Sequence, residues 1–134
     1  HLHSKGIEFG SHTVTHPRLI DLDFDKIEEE LIKSKAAIEG RLGRPVRAFA
    51  YPFAFPQSSK HFVKRLSDSL HKIGYQSCVT TGVGRVHLRS NLFQLRRLPA
   101  NSADDRSLFQ AKLNGAYDWM AIPQFLFKCL RSIF

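Results

Sequence analysis

The sequence has 134 residues, of which 43% are hydrophobic and 24% charged, and this composition is typical of one folded domain. No apolar run approaches the roughly 20 residues that a membrane-spanning helix needs. The net charge is +8, and the positive excess is distributed along positions 41–97 and 128–131 rather than packed into one block. This favours a solvated surface over a site for nucleic acid, anionic lipid or an acidic glycan. Cys78 and Cys129 lie in no CxxC pattern and leave the redox compartment open.

The first half of the chain predicts strands that alternate with helices. A short apolar run over 7–10 is typical of a buried strand. Apolar residues at helical spacing, an N-cap at Asp23 and a glycine after the last turn predict an amphipathic helix over 23–42. Residues 45–51 are the next predicted strand, which Pro52 ends.

The second half continues this alternation. The predicted elements are, in order, a helix over 62–73, a strand over 75–80, a turn over 81–84, a strand over 95–98 and a helix over 107–114. Residues 1–120 are therefore predicted to form one α/β domain with parallel strands. Residues 121–134 are predicted as an apolar, basic helical tail, for which packing on the domain is favoured over contact with a membrane or a partner.

Two histidines, His12 and His16, follow the first predicted strand. If they share one helical turn, their Cβ atoms lie about 5–6 Å apart, so both rings reach one metal ion at roughly 2.0–2.1 Å. Pro17 favours an extended conformation for His16, which predicts a loop at the strand end. The spacing alone favours ordinary surface histidines about two to one over a metal site. Residues 51–53 follow the second strand, so both loops are predicted at the same edge of the sheet.

The motifs at these two loops resemble a known family. Residues 10–17 read GSHTVTHP, similar to the His-Ser/Thr-x-x-His metal motif of polysaccharide deacetylases of the NodB-homology type, carbohydrate esterase family four. Residues 49–53 read FAYPF and are similar to the family's oxyanion loop, and segments 74–84 and 95–98 extend the resemblance in the same order. The resemblance covers roughly 3–115 and implies a partial, distorted (β/α) barrel without its first strand or strands.

The resemblance implies metal-dependent hydrolysis of acetyl groups on N-acetylated or O-acetylated polysaccharides. It makes His12 and His16 ligands of a divalent cation, with zinc the first choice, and the backbone N–H of Phe53 a donor to the oxyanion. Tyr51 and Pro52 are candidate substrate contacts. The expected partner is an acetylated glycan rather than a nucleic acid, and the oligomeric state is left open.

Several family features have no match in the sequence. The family's Asp-Asp motif, which supplies the third ligand and the general base, lies upstream of the histidine motif, so we expect this C-terminal portion to have little activity by itself. Ala50, Phe53 and Ala54 replace residues that are usual in the oxyanion loop. Arg97 is a candidate cation near the site, although a salt-bridged surface arginine is about as frequent. The acidic pair at 104–105 is predicted, at roughly four to one, to be an exposed loop or helix cap.

Two other classes of function stay open. A non-catalytic glycan- or anion-binding module that keeps the fold is the main alternative. A basic nucleic-acid binder is a weaker one, for which affinity would fall steeply with salt. The compartment is undetermined, and the cell envelope or the extracellular space is the expected setting for glycan processing.

Overall fold

The computed structural model describes residues 5–131, so the last three residues of the predicted tail lie outside it. Its helices and strands are, in chain order, α1 (Phe24–Leu42), β1 (Ala48–Ala50), α2 (Lys60–Ile73), β2 (Ser77–Val83), β3 (Leu95–Arg97), α3 (Arg106–Leu113) and α4 (Ala121–Arg131). The three strands are parallel and pair in the order β1-β2-β3. The α/β class is therefore confirmed. No helix within 5–131 is long and apolar enough to cross a membrane.

Both long helices form where the sequence predicts them. Asp23 is the N-cap of α1, with φ −64° and ψ 148°, and Gly43 follows its last turn with a left-handed φ of 62°. α2 begins at Lys60, two residues before the predicted start, and Gly74 ends it with φ 93°. Glycine adopts this conformation without the steric cost that a Cβ brings, so local sequence decides both helix ends.

The predicted strand over 7–10 does not form. Ser11 alone makes a parallel bridge to Phe49, with its N–H 2.9 Å from the Ala48 carbonyl and its carbonyl 2.8 Å from the Ala50 N–H. The predicted strand over 45–51 is also shorter, because β1 spans only Ala48–Ala50. Because β1 has only three residues, it offers few positions at which residues 7–10 could pair with it. The apolar run before Ser11 therefore lies largely exposed.

The predicted turn over 81–84 is wrong, because β2 continues to Val83. Beyond the end of β1, the exposed edge of β2 is paired by a side chain of α4. The Val83 N–H donates to Gln124 Oε1 at 2.8 Å, and Gln124 Nε2 donates to the Thr81 carbonyl at 2.9 Å. A single amide thus supplies the donor and the acceptor that a neighbouring strand would supply. It also holds α4 on the sheet, while Ile122 and Leu126 of that helix stay exposed.

Gln124→Leu should therefore destabilise the protein by about 1–3 kcal/mol, because it removes the amide that hydrogen-bonds to two backbone groups of β2. The measurement is the free energy of unfolding in urea. Gln110→Leu on α3 is the matched control, since Gln110 contacts only the exposed Asn114 side chain, at 3.3 Å. Equal unfolding midpoints for the two variants would contradict a structural role for the Gln124 amide.

The hydrophobic core lies between the sheet and helices α1 and α2. Its buried members are Leu19, Ile27, Leu31, Val46, Phe49, Tyr51, Phe55, Phe62, Val63, Leu66, Leu70, Tyr75 and Cys78. The Tyr75 hydroxyl donates to the Leu31 carbonyl at 3.0 Å, so its polar end is satisfied inside the core. Burial raises the pKa of the Cys78 thiol to about 12, which keeps this free cysteine protonated and unreactive at neutral pH.

The acidic pair at 104–105 has two different roles. Asp105 is the N-cap of α3, and its side chain accepts from the Leu108 N–H at 2.7 Å, as predicted. Asp104 contradicts the exposed-loop prediction. It accepts from Lys112 Nζ at 2.7 Å through both oxygens, and the Lys112 and Asp104 side chains are only 4% and 6% exposed. Lys112 also donates to the Pro99 carbonyl at 2.9 Å, so the pair ties this loop to α3.

Candidate active site

The rings of His12 and His16 are in contact in a T-shaped arrangement, with an angle of 67° between their planes. Their Nε2 atoms are 3.1 Å apart and their ring centroids 4.7 Å apart. Nδ1 of His12 lies 2.7 Å from the Ala50 carbonyl. A carbonyl oxygen only accepts, so Nδ1 of His12 carries the proton, and in the neutral ring Nε2 keeps its lone pair. The end of β1 therefore orients His12 with the lone pair of Nε2 toward His16, whose Nε2 is within hydrogen-bond distance.

The histidine loop has an unusual backbone. Thr13 and His16 have positive φ angles of 67° and 55°, so the predicted helical turn and the predicted extended His16 are both wrong. The Thr13 hydroxyl offsets part of this strain, because it accepts from the His16 N–H at 3.1 Å and donates to the His12 carbonyl. The loop itself was predicted, but its shape depends on contacts that the histidine spacing does not reveal.

Glu30 of α1 holds the middle of this loop. Its Oε2 accepts from the Val14 and Thr15 N–H groups at 2.7 and 3.0 Å, and its Oε1 accepts from the Thr15 hydroxyl at 2.9 Å. Burial raises the pKa of the Glu30 carboxyl, but the hydrogen bonds from Thr15 and Val14 outweigh it and leave the pKa below its ordinary value. Sequence reasoning missed this role. The available signal was a carboxylate on the edge of the buried stripe formed by Ile27 and Leu31.

The predicted oxyanion loop lies beside the histidine loop. Phe53 has a positive φ of 57°, and its exposed ring lies 4.6 Å from the His16 ring, centroid to centroid. Within residues 5–131, no protein acceptor receives the Phe53 N–H. The structure therefore brings together the two loops that the sequence predicted at one edge of the sheet.

A groove of about 760 Å³ runs along the loop that follows β1. Tyr51 and Pro52 line it, as do Phe53, Gln57 and Phe127. Tyr51 is only 2% exposed, its ring packs edge-on against Phe55, and burial raises the pKa of its phenol. Both Tyr51 and Pro52 are thus buried in the wall, and the exposed surface beside the histidines belongs mainly to Phe53.

A family comparison covers both loops. The family model described as polysaccharide deacetylase matches residues 1–77, which is more than half of the chain. The chain belongs to the polysaccharide deacetylase family. No curated protein and no solved structure matches the chain. Polysaccharide deacetylases act on acetylated glycans, are hydrolases of amide bonds and are generally metal-dependent.

The histidine pair fits the metal dependence of polysaccharide deacetylases. Two nitrogens bound to one ion at roughly 2.0–2.1 Å lie about 2.8–3.4 Å apart at the usual ligand angles, and the observed separation is 3.1 Å. Ligating histidines usually donate their second ring N–H to a carbonyl or a carboxylate, as His12 does. Within residues 5–131, no group of three or more histidine, cysteine or acidic side chains is placed to hold a metal. Within the described residues, two imidazole nitrogens therefore have a separation compatible with one metal ion, and no third such side chain joins them.

Arg97 does not join these residues. It lies on β3, which β2 and β1 separate from the bridge at Ser11. The contacts of the histidine rings involve Ala50 and Phe53 instead. Arg97 is exposed and forms no ion pair within the part of the chain that the structure describes, so neither predicted environment for it is found.

Proposed function

We propose that this protein acts in the metal-dependent hydrolytic deacetylation of an N-acetylated, or O-acetylated, polysaccharide. His12 and His16 are two protein ligands of the divalent cation, and zinc is the first candidate. The observation that carries the proposal is the 3.1 Å separation of the two Nε2 atoms, with the His12 proton held on Nδ1 by the Ala50 carbonyl.

The residues of the proposed site have defined tasks in this reaction. When bound, the divalent cation supplies Lewis-acid polarisation of the acetyl carbonyl. The Ala50 carbonyl keeps His12 in the tautomer that offers Nε2, and Glu30 holds the loop that carries His16. The Phe53 N–H donates to the oxygen that gains charge when water attacks.

The chemical change is the addition of water to the acetyl carbon, followed by cleavage of the bond from that carbon to nitrogen. Acetate leaves, and the amine keeps a proton that comes from the water. By resemblance to the family, the general base belongs to the Asp-Asp motif that precedes the histidine motif. We further propose that the parallel sheet is part of a distorted (β/α) barrel, and that the protein works in the cell envelope or the extracellular space.

Calorimetric titration with zinc tests the ligand assignment. We expect a dissociation constant of roughly 1–10 μM for the chain, and no measurable binding for the double variant His12→Ala/His16→Ala, because neither imidazole of the pair remains. His61→Ala/His71→Ala is the matched control, since these exposed histidines belong to α2. Zinc binding that survives the loss of His12 and His16 would refute the assignment.

A non-catalytic glycan-binding module is the second candidate, and the lack of a third ligand within 5–131 favours it. Acetate release from tetra-N-acetylchitotetraose with added zinc separates the two. Release above the zinc-only background that requires both His12 and His16 supports the hydrolase, even at the low rate expected without the family's Asp-Asp motif. Binding of the tetrasaccharide without release, at any zinc concentration, supports the binding module.

A further inference from the structure

The groove beside the histidine pair does not end at the loop that follows β1. Gln57 lines it, and also lines two adjoining cavities of about 400 and 340 Å³ at the carboxyl end of β2. Gln124 lines both the groove and the smaller cavity. The three spaces share these lining residues and lie side by side between Phe53 and the start of β3, and we call them together the trough.

Three arginines line the trough, and two of them form ion pairs with an aspartate. Beside the histidine loop, Arg18 pairs with Asp21 at 3.2 Å. At the far end, Arg85 Nε pairs with Asp118 Oδ2 at 2.8 Å. Arg96 lines both far cavities, is exposed and forms no ion pair within the described residues.

The position of Arg96 is set by packing. A Cβ placed on Gly82 would lie 3.6 Å from Arg96 Cγ, and one placed on Gly84 would lie 3.1 Å from its Cδ. The first distance is an ordinary van der Waals contact and the second is a tight one, so the aliphatic stem of Arg96 packs closely on Gly84 and lies beside Gly82. Besides Arg96, the larger far cavity is lined by Phe55, by Gly82 and by polar or basic side chains, among them Arg85 and His87. No acidic residue lines this cavity, whereas Asp118, the partner of Arg85, lines the smaller one beside Arg96.

We infer that the trough binds an acidic glycan, in which a carboxylate or phosphate group pairs with Arg96 while an acetylated sugar lies beside Phe53 and the histidines. This inference rests on the proposed function and names its substrate class. The planar guanidinium fork of arginine matches the geometry of both anions. The amide and hydroxyl side chains around it suit sugar hydroxyl groups.

Three tetrasaccharides with one backbone test this inference by calorimetry: tetra-N-acetylchitotetraose, its 6-O-carboxymethyl derivative and its 6-phosphate. We expect the two acidic ligands to bind roughly 3- to 10-fold more tightly than the neutral one at low salt, with an advantage that shrinks as salt increases. The carboxymethyl and phosphate arms distinguish the two possible sources of the anion.

Variants of Arg96 separate charge recognition from folding. Arg96→Gln should bring the ratio of acidic to neutral affinity to about one, whatever it does to the neutral affinity itself, whereas Arg96→Lys should keep part of the advantage. Arg41→Gln, at the far end of α1, is the control and should keep all of it. Equal affinities for acidic and neutral ligands, or an advantage that survives Arg96→Gln, would overturn the inference while the proposed function stands. Failure of all three tetrasaccharides to bind would overturn both the inference and the proposed function, whether or not the chain binds zinc.

Discussion

Replacing Glu30 with alanine is expected to weaken zinc binding by the chain roughly 10- to 100-fold, as is usual when the support of a metal ligand is lost. The Glu30 carboxylate accepts three hydrogen bonds from Val14 and Thr15, which lie between the two histidines. Without it, the strained loop is held mainly by Thr13, and the two Nε2 atoms no longer keep their separation. Calorimetric titration measures the zinc affinity, and amide hydrogen exchange at Val14 and Thr15 reports the loop directly.

Two further variants make this test specific. Glu29→Ala is the matched control, because Glu29 is the neighbouring residue on α1 but pairs with Lys26 and Lys33 at the surface. It should leave zinc affinity and exchange at the loop unchanged. Glu30→Gln keeps one carbonyl oxygen as an acceptor, so we expect an intermediate affinity. If Glu30→Ala binds zinc as tightly as the parent chain, the loop does not depend on this clamp.

Phe49→Ala should lower the free energy of unfolding by about 3–5 kcal/mol, because it opens a cavity in the core. Phe49 is only 1% exposed and packs against Tyr75, with ring centroids 5.6 Å apart. It is also the residue of β1 that bridges to Ser11. The loss should therefore loosen the register that places His12 against the Ala50 carbonyl. Urea denaturation measures the stability.

The control for this substitution is Phe109→Ala on α3. Phe109 is 45% exposed, so the same change in side-chain size should cost less than about 1 kcal/mol. A comparable loss of stability in the two variants would show that the core does not centre on β1. Zinc titration of Phe49→Ala under conditions where it remains folded then measures how far the histidine site depends on this packing.

Local sequence determined the long helices and the two loops that carry the family motifs. Asp23, Gly43 and Gly74 mark helix ends through their own backbone preferences, which act within one turn. The predicted strand over 95–98 is one residue longer than β3, and the predicted helix over 107–114 is shifted by one residue from α3. The paired histidines and the loop after β1 were also predictable, because the residues that carry the family motif are close in sequence and their order is distinctive.

Tertiary structure decided the remaining features, because each depends on residues far apart in the chain. β2 runs through a predicted turn since Gln124, more than 40 residues later, pairs with its free edge. The predicted strand over 7–10 fails because β1 offers a bridge only at Ser11. The Asp104 side chain is largely buried because Lys112, which also donates to the Pro99 carbonyl, pairs with its carboxylate. Hydrogen bonds and ion pairs between distant residues leave no periodic signal, so these features follow only from the fold.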